Sequence, residues 1–222
     1  MFKKIFFALA LSALALQSVT AQHWPPSPDK EYHNSIVKII GDGYGGSGTV
    51  IKRTTDVSPV EGYYIGWILT ASHVIYSQDT IFTIYFNNGA ITDKATVVDK
   101  GDYDTDAYCD FGLIRALIPI SVKPMEIYEE DVPIGAQVEL AGFGAENFRH
   151  WIADYAGDKS DGDGHIVLTW AIQGDSGGPI IYKGKVIGVI CFGTGIEKYG
   201  DTPRMIVAPV YGTCVSRIRK LD

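Results

Sequence analysis

The sequence predicts an all-β protein folded in two halves. Short segments rich in Ile, Val, Thr and aromatic residues recur along its 222 residues, separated by Gly, Asn and Asp. With 25 Gly and 10 Pro, the chain favours tight turns over long helices. An acidic stretch carrying three prolines, 119–133, divides the segments into two sets. At 46% apolar and 12% aromatic residues, the chain can bury a substantial core.

The first element is a leader. Lys3 and Lys4 precede an apolar run, Ile5–Leu16, and Val19-Thr20-Ala21 supplies small residues for a cut near Ala21. This order is that of a secretory signal peptide over residues 1–21, and it predicts a secreted or periplasmic protein. A run of about 12 residues is short of the roughly 20 that a spanning helix needs, so no membrane anchor is expected. Losing Lys3 and Lys4 with the leader takes the formal charge from −7 to −9. An acidic balance of this size disfavours nucleic acid and anionic membrane as partners.

After a Pro-rich lead, Trp24–Pro28, the N-terminal half (22–118) is expected to hold strands at Ile36–Ile40, Gly48–Lys52, Tyr63–Thr70, Ile81–Phe86, Ile91–Val98 and Asp110–Ile114. Asn87-Asn88-Gly89 suits a hairpin turn. Met125–Tyr128 reads as one more strand of this set. The linker carries Glu129, Glu130 and Asp131. In the C-terminal half (134–222) strands are expected at Ala136–Phe143, Phe148–Tyr155, His165–Ala171, Pro179–Tyr182, Val186–Phe192 and Met205–Val210, with Val210–Leu221 as a short closing helix. Three cysteines, Cys109, Cys191 and Cys214, cannot form a fully paired disulfide framework, so the core must carry stability. Nothing in the sequence fixes an oligomeric state.

Asp102, Asp104 and Asp106 alternate, as do Asp161 and Asp163, in the manner of calcium loops. The helix-loop-helix calcium pattern wants Gly at its sixth position and Glu at its twelfth, where this chain has Ala107 and Leu113. Solvated loops are the better reading, and no metal or cofactor is called for.

The chemistry concentrates in Gln173-Gly174-Asp175-Ser176-Gly177-Gly178-Pro179. A serine among small residues can sit on a tight turn with backbone N–H groups converging nearby, which suits acyl transfer through a tetrahedral oxyanion. Gly-rich turns also serve as plain structure, so the partners decide. The segment fits Gly-x-Ser-x-Gly, but an α/β-hydrolase places its histidine after the serine. Here His23, His33, His73, His150 and His165 all precede Ser176. The subtilisin order, Asp then His then Ser, has no supporting motif around Asp29, Asp42 or Asp56. The order His, Asp, Ser remains. His73 lies in Leu69-Thr70-Ala71-Ser72-His73-Val74, and Asp110 opens an apolar run, Phe111-Gly112-Leu113-Ile114.

Together these segments resemble the chymotrypsin-like serine peptidase family. Thr-Ala-Ser-His-Val is similar to its histidine segment, Asp110 to its aspartate, and Gly-Asp-Ser-Gly-Gly-Pro to its serine motif. Gly45-Gly46-Ser47-Gly48-Thr49-Val50-Ile51 is similar to the strand before the histidine, and the likeness runs from about Ile36 to Val215. The resemblance implies two antiparallel six-stranded barrels with the site between them, and polypeptide substrates. Ser176 would be the nucleophile, His73 the general base and Asp110 its orienting partner, with the amides of Gly174 and Ser176 as the oxyanion hole. Cys191-Phe192-Gly193 would pair with an extended substrate as an added strand. Trp170, six before the serine, would floor the primary pocket. Arg204 would stand where the family often has Gly, a place from which it could bind an acidic side chain. The alternative implied is a silent member that binds peptides or proteins.

The likeness has departures. Val74 replaces the cysteine that usually follows the histidine, and no cysteine here matches a usual disulfide position. Activated members insert a new Ile-Val terminus beside the acid before the serine, here Asp175. Ile36-Val37 is better read as the first strand, which leaves the partner of Asp175 open.

Overall fold

The computed structural model describes residues 30–41, 45–76, 82–101, 110–158, 165–169, 171–191 and 205–209. The leader, the calcium-like loops, Cys109, Cys214 and the expected closing helix lie outside them.

In the first half, β1 (Ile36–Ile40), β2 (Gly45–Arg53), β3 (Tyr63–Thr70), β4 (Phe82–Phe86), β5 (Ile91–Lys100) and β6 (Gly112–Pro119) form a closed barrel ordered β1-β2-β3-β6-β5-β4. All of its ladders are antiparallel, and β3 pairs with β6 from Tyr63↔Pro119 to Thr70↔Gly112. Burial of large apolar side chains inside the ring of strands favours the closure. Ile36, Ile39, Ile68, Ile84, Leu113 and Ile118 are buried together in its core. Asn87–Gly89 makes the expected turn between β4 and β5, with the Asn88 side chain accepting the Ala90 N–H at 3.1 Å.

The second half contains β7 (Gln137–Gly142), β8 (Arg149–Asp158), β9 (His165–Leu168), β10 (Pro179–Tyr182), β11 (Lys185–Ile190) and β12 (Met205–Pro209). Its strands are ordered β10-β11-β12-β9-β8-β7, and β10 also pairs with β7 through Ile180↔Leu140 and Ile181↔Glu139. Val138, Leu140, Tyr155, Val167, Ile180 and Ile187 make its core. Ala141, Phe143, Ile181 and Val189 instead join the first half's cluster, so apolar packing binds the halves together. Among the described residues, no helix is long and apolar enough to cross a membrane.

Two expected strands differ from the structure. Met125–Tyr128 is not a strand. It carries a single bridge, Ile127↔Val186, because its amides bond to opposite halves: Met125 N–H to Val50 O at 2.8 Å and Tyr128 N–H to Val186 O at 2.8 Å. Asp110 does not open β6, which begins at Gly112, because its side chain is turned back onto the 72–73 backbone and side chains.

Candidate active site

β3 ends at Thr70 and the chain turns through a short 3-10 helix, Ser72–Ile75, that carries His73. Asp110 is fully buried beside this turn. Its Oδ1 accepts the Ser72 hydroxyl at 2.8 Å and the His73 N–H at 3.0 Å. Its Oδ2 lies 2.7 Å from His73 Nδ1 and accepts the Cys191 thiol, which arrives from the end of β11. Burial alone would raise this carboxyl. The hydrogen bonds from His73 and Cys191 outweigh it, and the pKa sits below the usual carboxylate range. An ionised carboxylate can only accept, so Nδ1 carries the ring proton and Nε2 is the acceptor nitrogen of the neutral imidazole. The His73 side chain remains 26% exposed. Burial, then the charge of Asp110, pushes the Cys191 thiol far up, so it stays protonated as a donor.

Ser176 sits on the turn between β9 and β10, which close approaches shape. A Cβ at Gly177 (φ +83°) would lie 2.2 Å from Ser47 O, so only glycine fits there. A Cβ at Gly46 would meet Val74 Cγ2 at 2.6 Å and Ser176 O at 2.8 Å. The histidine turn and the serine turn therefore press against the same bare backbone from either side. The Gly177 N–H donates to Ile190 O at 2.7 Å and the Gly178 N–H to Asp175 O at 2.9 Å. The Ala145 N–H donates to Gln173 O at 3.0 Å. In a trans peptide N–H and C=O point opposite ways. Anchoring Gln173 O and Asp175 O thus turns the Gly174 and Ser176 amides outward, and neither has a hydrogen-bond partner among the described residues.

Asp175 is buried beneath this turn. Its Oδ2 accepts the Ile172 N–H at 2.9 Å, and its Oδ1 stands 3.7 Å from Arg149 Nε. Burial raises its pKa against the Ile172 amide and the Arg149 guanidinium. Arg149 is thus the cation nearest to this acid among the described residues, while Ile36-Val37 is the start of β1. A groove of about 580 Å³ opens beside the turn, lined by Lys38, Gly45, Gly46, Phe143, Glu146 and Gly174 among others.

A second polar cluster lies apart from this turn. His33, Glu139 and His150 place a ligand atom each within 4.8 Å of one another. The spacing suits a metal, but the protonation does not. His33 Nδ1 accepts the Lys30 N–H at 3.3 Å, so Nε2 bears the proton and donates to Glu139 at 2.7 Å. Lys30 already neutralises the carboxylate. The cluster is a hydrogen-bonded clasp between the N-terminal segment and β7.

The structure thus brings His73, Asp110, Gly174, Ser176 and Cys191 together. Cys191, expected to serve through its backbone, also contributes its thiol. Trp170, Phe192, Gly193 and Arg204 lie outside the described residues. Ser72, Ser47 and Arg149 were not anticipated. Ser72 had a signal in its adjacency to His73, and Arg149 had none.

Residues 46–189 match the family model of the trypsin-like peptidase domain, well over half of the 222-residue chain. The chain belongs to the trypsin-like peptidase family. As a trypsin-like peptidase it is a serine endopeptidase with polypeptide substrates. It is similar to the active form of the Rv3671c protease of M. tuberculosis at 25% identity and a TM-score of 0.62, over 85% of this chain and 81% of that one. It shares the fold of a serine endoprotease from Yersinia pestis at 14% identity and a TM-score of 0.62, over 88% and 67% of the two chains. It also shares the fold of an inactivated protease paralogue of the scabies mite at 14% identity and a TM-score of 0.65, over 86% and 96%.

Proposed function

We propose that this trypsin-like peptidase is an exported, two-barrel enzyme that cuts peptide bonds through an acyl-enzyme on Ser176. Residues 1–21 would direct export and be removed near Ala21. The observation that carries the reading is the Asp110–His73 pair, 2.7 Å apart with the carboxylate buried, beside a turn whose Gly174 and Ser176 amides face outward.

The steps follow from those positions. Ser176 Oγ attacks the scissile carbonyl carbon while its proton passes to His73 Nε2. Asp110 holds the ring through Nδ1 and stabilises the imidazolium that forms. The carbonyl oxygen, now negative, accepts the Gly174 and Ser176 N–H groups. The C–N bond then breaks, and His73 gives its proton to the leaving amine. Water, deprotonated by His73, attacks the ester and frees Ser176. The His73 ring and the Gly174 and Ser176 amides are oriented before substrate arrives, which is where electrostatic catalysis gains most.

The test is labelling by a fluorophosphonate probe together with hydrolysis of a peptide library. Ser176→Ala and His73→Ala should each lower kcat by about 10⁶ while the thermal transition is retained. A folded wild type that takes no label and cuts no peptide would favour the silent, binding member instead.

A further inference from the structure

We propose that Ser47, which belongs to the half carrying His73 and Asp110, is a positioning residue for the oxyanion turn of the other half. The proposal rests on the catalytic reading of Gly174 and Ser176 given above and extends it to a residue that touches neither substrate nor the reacting atoms.

Ser47 is fully buried and uses nearly all of its hydrogen-bonding capacity. Its N–H donates to Ser176 O at 2.7 Å. Its hydroxyl donates to Gly174 O at 2.7 Å and accepts the Phe143 N–H at 2.8 Å. Its carbonyl accepts the Thr70 hydroxyl at 2.6 Å, which ties it to the end of the strand before His73. Thr70, Ser47, Gly174 and Ser176 thus form one hydrogen-bonded chain from the histidine strand to the nucleophile turn.

Each carbonyl from residue 173 to 176 has a fixed partner. Ala145 holds Gln173 O and Gly178 holds Asp175 O, while Ser47, alone among the described residues, holds both Gly174 O and Ser176 O. The turn is gripped on alternate carbonyls from its two sides, so its N–H groups cannot rotate together. The grip matters because Gly174 has φ +101°, where glycine is free to adopt other conformations and sterics alone do not hold the peptide. The Ser47 hydroxyl also joins this turn to Phe143, whose segment supplies the Ala145 amide. One oxygen therefore registers both stretches of backbone that aim the Gly174 N–H.

The test compares the full chain with Ser47→Ala and Ser47→Cys, using a chromogenic peptide amide, a peptidyl boronic acid and the fluorophosphonate probe. Removing an oxyanion donor outright costs roughly 10² to 10³ in kcat. Loosening its aim should cost less, between about tenfold and a hundredfold, with KM within about twofold. The boronic acid, which places an oxygen in the hole, should bind Ser47→Ala more weakly by the same factor as kcat. The pH midpoint of kcat/KM should not move, since the His73–Asp110 pair is untouched. Ser47→Cys, a weaker donor of similar size, should fall between wild type and Ala, and it gives the answer if the Ala variant does not fold. An active wild type with a Ser47→Ala kcat within twofold overturns the proposal alone. So does a Ser47→Ala loss carried in KM with unchanged boronic acid affinity. A wild type without Ser176-dependent labelling overturns the catalytic reading and this proposal with it.

Discussion

Replacing Glu139 by Gln should remove a pH-dependent part of the stability. Glu139 is buried on β7, and its carboxylate accepts from the Lys30 ammonium, from the Tyr32 hydroxyl at 2.8 Å and from His33 Nε2 at 2.7 Å. His150 Nδ1 faces it at 3.9 Å. Burial would raise its pKa, but these donors win and pull it from 4.5 to about 2. A drop of that size corresponds to stability on the order of 3 kcal/mol. Because the folded value lies below the unfolded one, this stability is fully present above about pH 4.5 and is lost as pH falls toward 2. Urea unfolding of wild type and Glu139→Gln at pH 7 should differ by on the order of 3 kcal/mol, equivalent to roughly 6–12 °C in Tm for a chain of this length. The difference should shrink steadily below pH 4.5 and nearly vanish near pH 2. A gap between the two proteins that stays constant from pH 7 to about pH 2.5 would refute the reasoning, because it would locate the loss in shape rather than charge.

Three further outcomes are expected. Asp110→Asn should lower kcat by about 10⁴ by favouring the wrong imidazole tautomer; full activity there, with loss on replacing Asp104 or Asp106, would reassign the acid. Cys191 should resist iodoacetamide in the native protein at neutral pH, read by peptide mass spectrometry, since it is buried and its thiol is held protonated. Rapid native labelling at that peptide would contradict the thiol-to-carboxylate hydrogen bond. On the expectation that Arg204 enters the primary pocket, a peptide library should be cut after Asp or Glu, and Arg204→Gly should lose that preference while still taking the fluorophosphonate; cleavage after Lys or Arg in wild type would end it.

The strands were legible where β-branched and aromatic residues are dense, as at Ile36–Ile40 and Tyr63–Thr70, because that local composition needs no tertiary information. Met125–Tyr128 had the same composition and failed. Its backbone partners, Val50 and Val186, come from separate halves, a fact no local window contains. The order of His73, Asp110 and Ser176 was readable because each stands in a distinctive local segment. Arg149 and Glu139 were not, since their importance comes only from what folding sets beside them: a buried acid under the serine turn and an N-terminal segment laid across β7. Ser47 lay in a quoted motif, yet only its three bonds across the halves, with a fourth to Thr70 in its own half, distinguish it from the glycines around it.

The bond between Ser47 and Gly174 joins residues 127 positions apart, and that between Cys191 and Asp110 joins residues 81 apart. Contacts this distant form late, after the entropy of closing long loops has been met. During synthesis, an emerging chain that already holds His73 and Asp110 has no serine turn to work with. Even a chain that has reached Ser176 lacks Ile190, whose carbonyl anchors the Gly177 amide. On the proposed catalytic reading, the site is therefore complete only once residues as far along the chain as Ile190 and Cys191 have joined the fold.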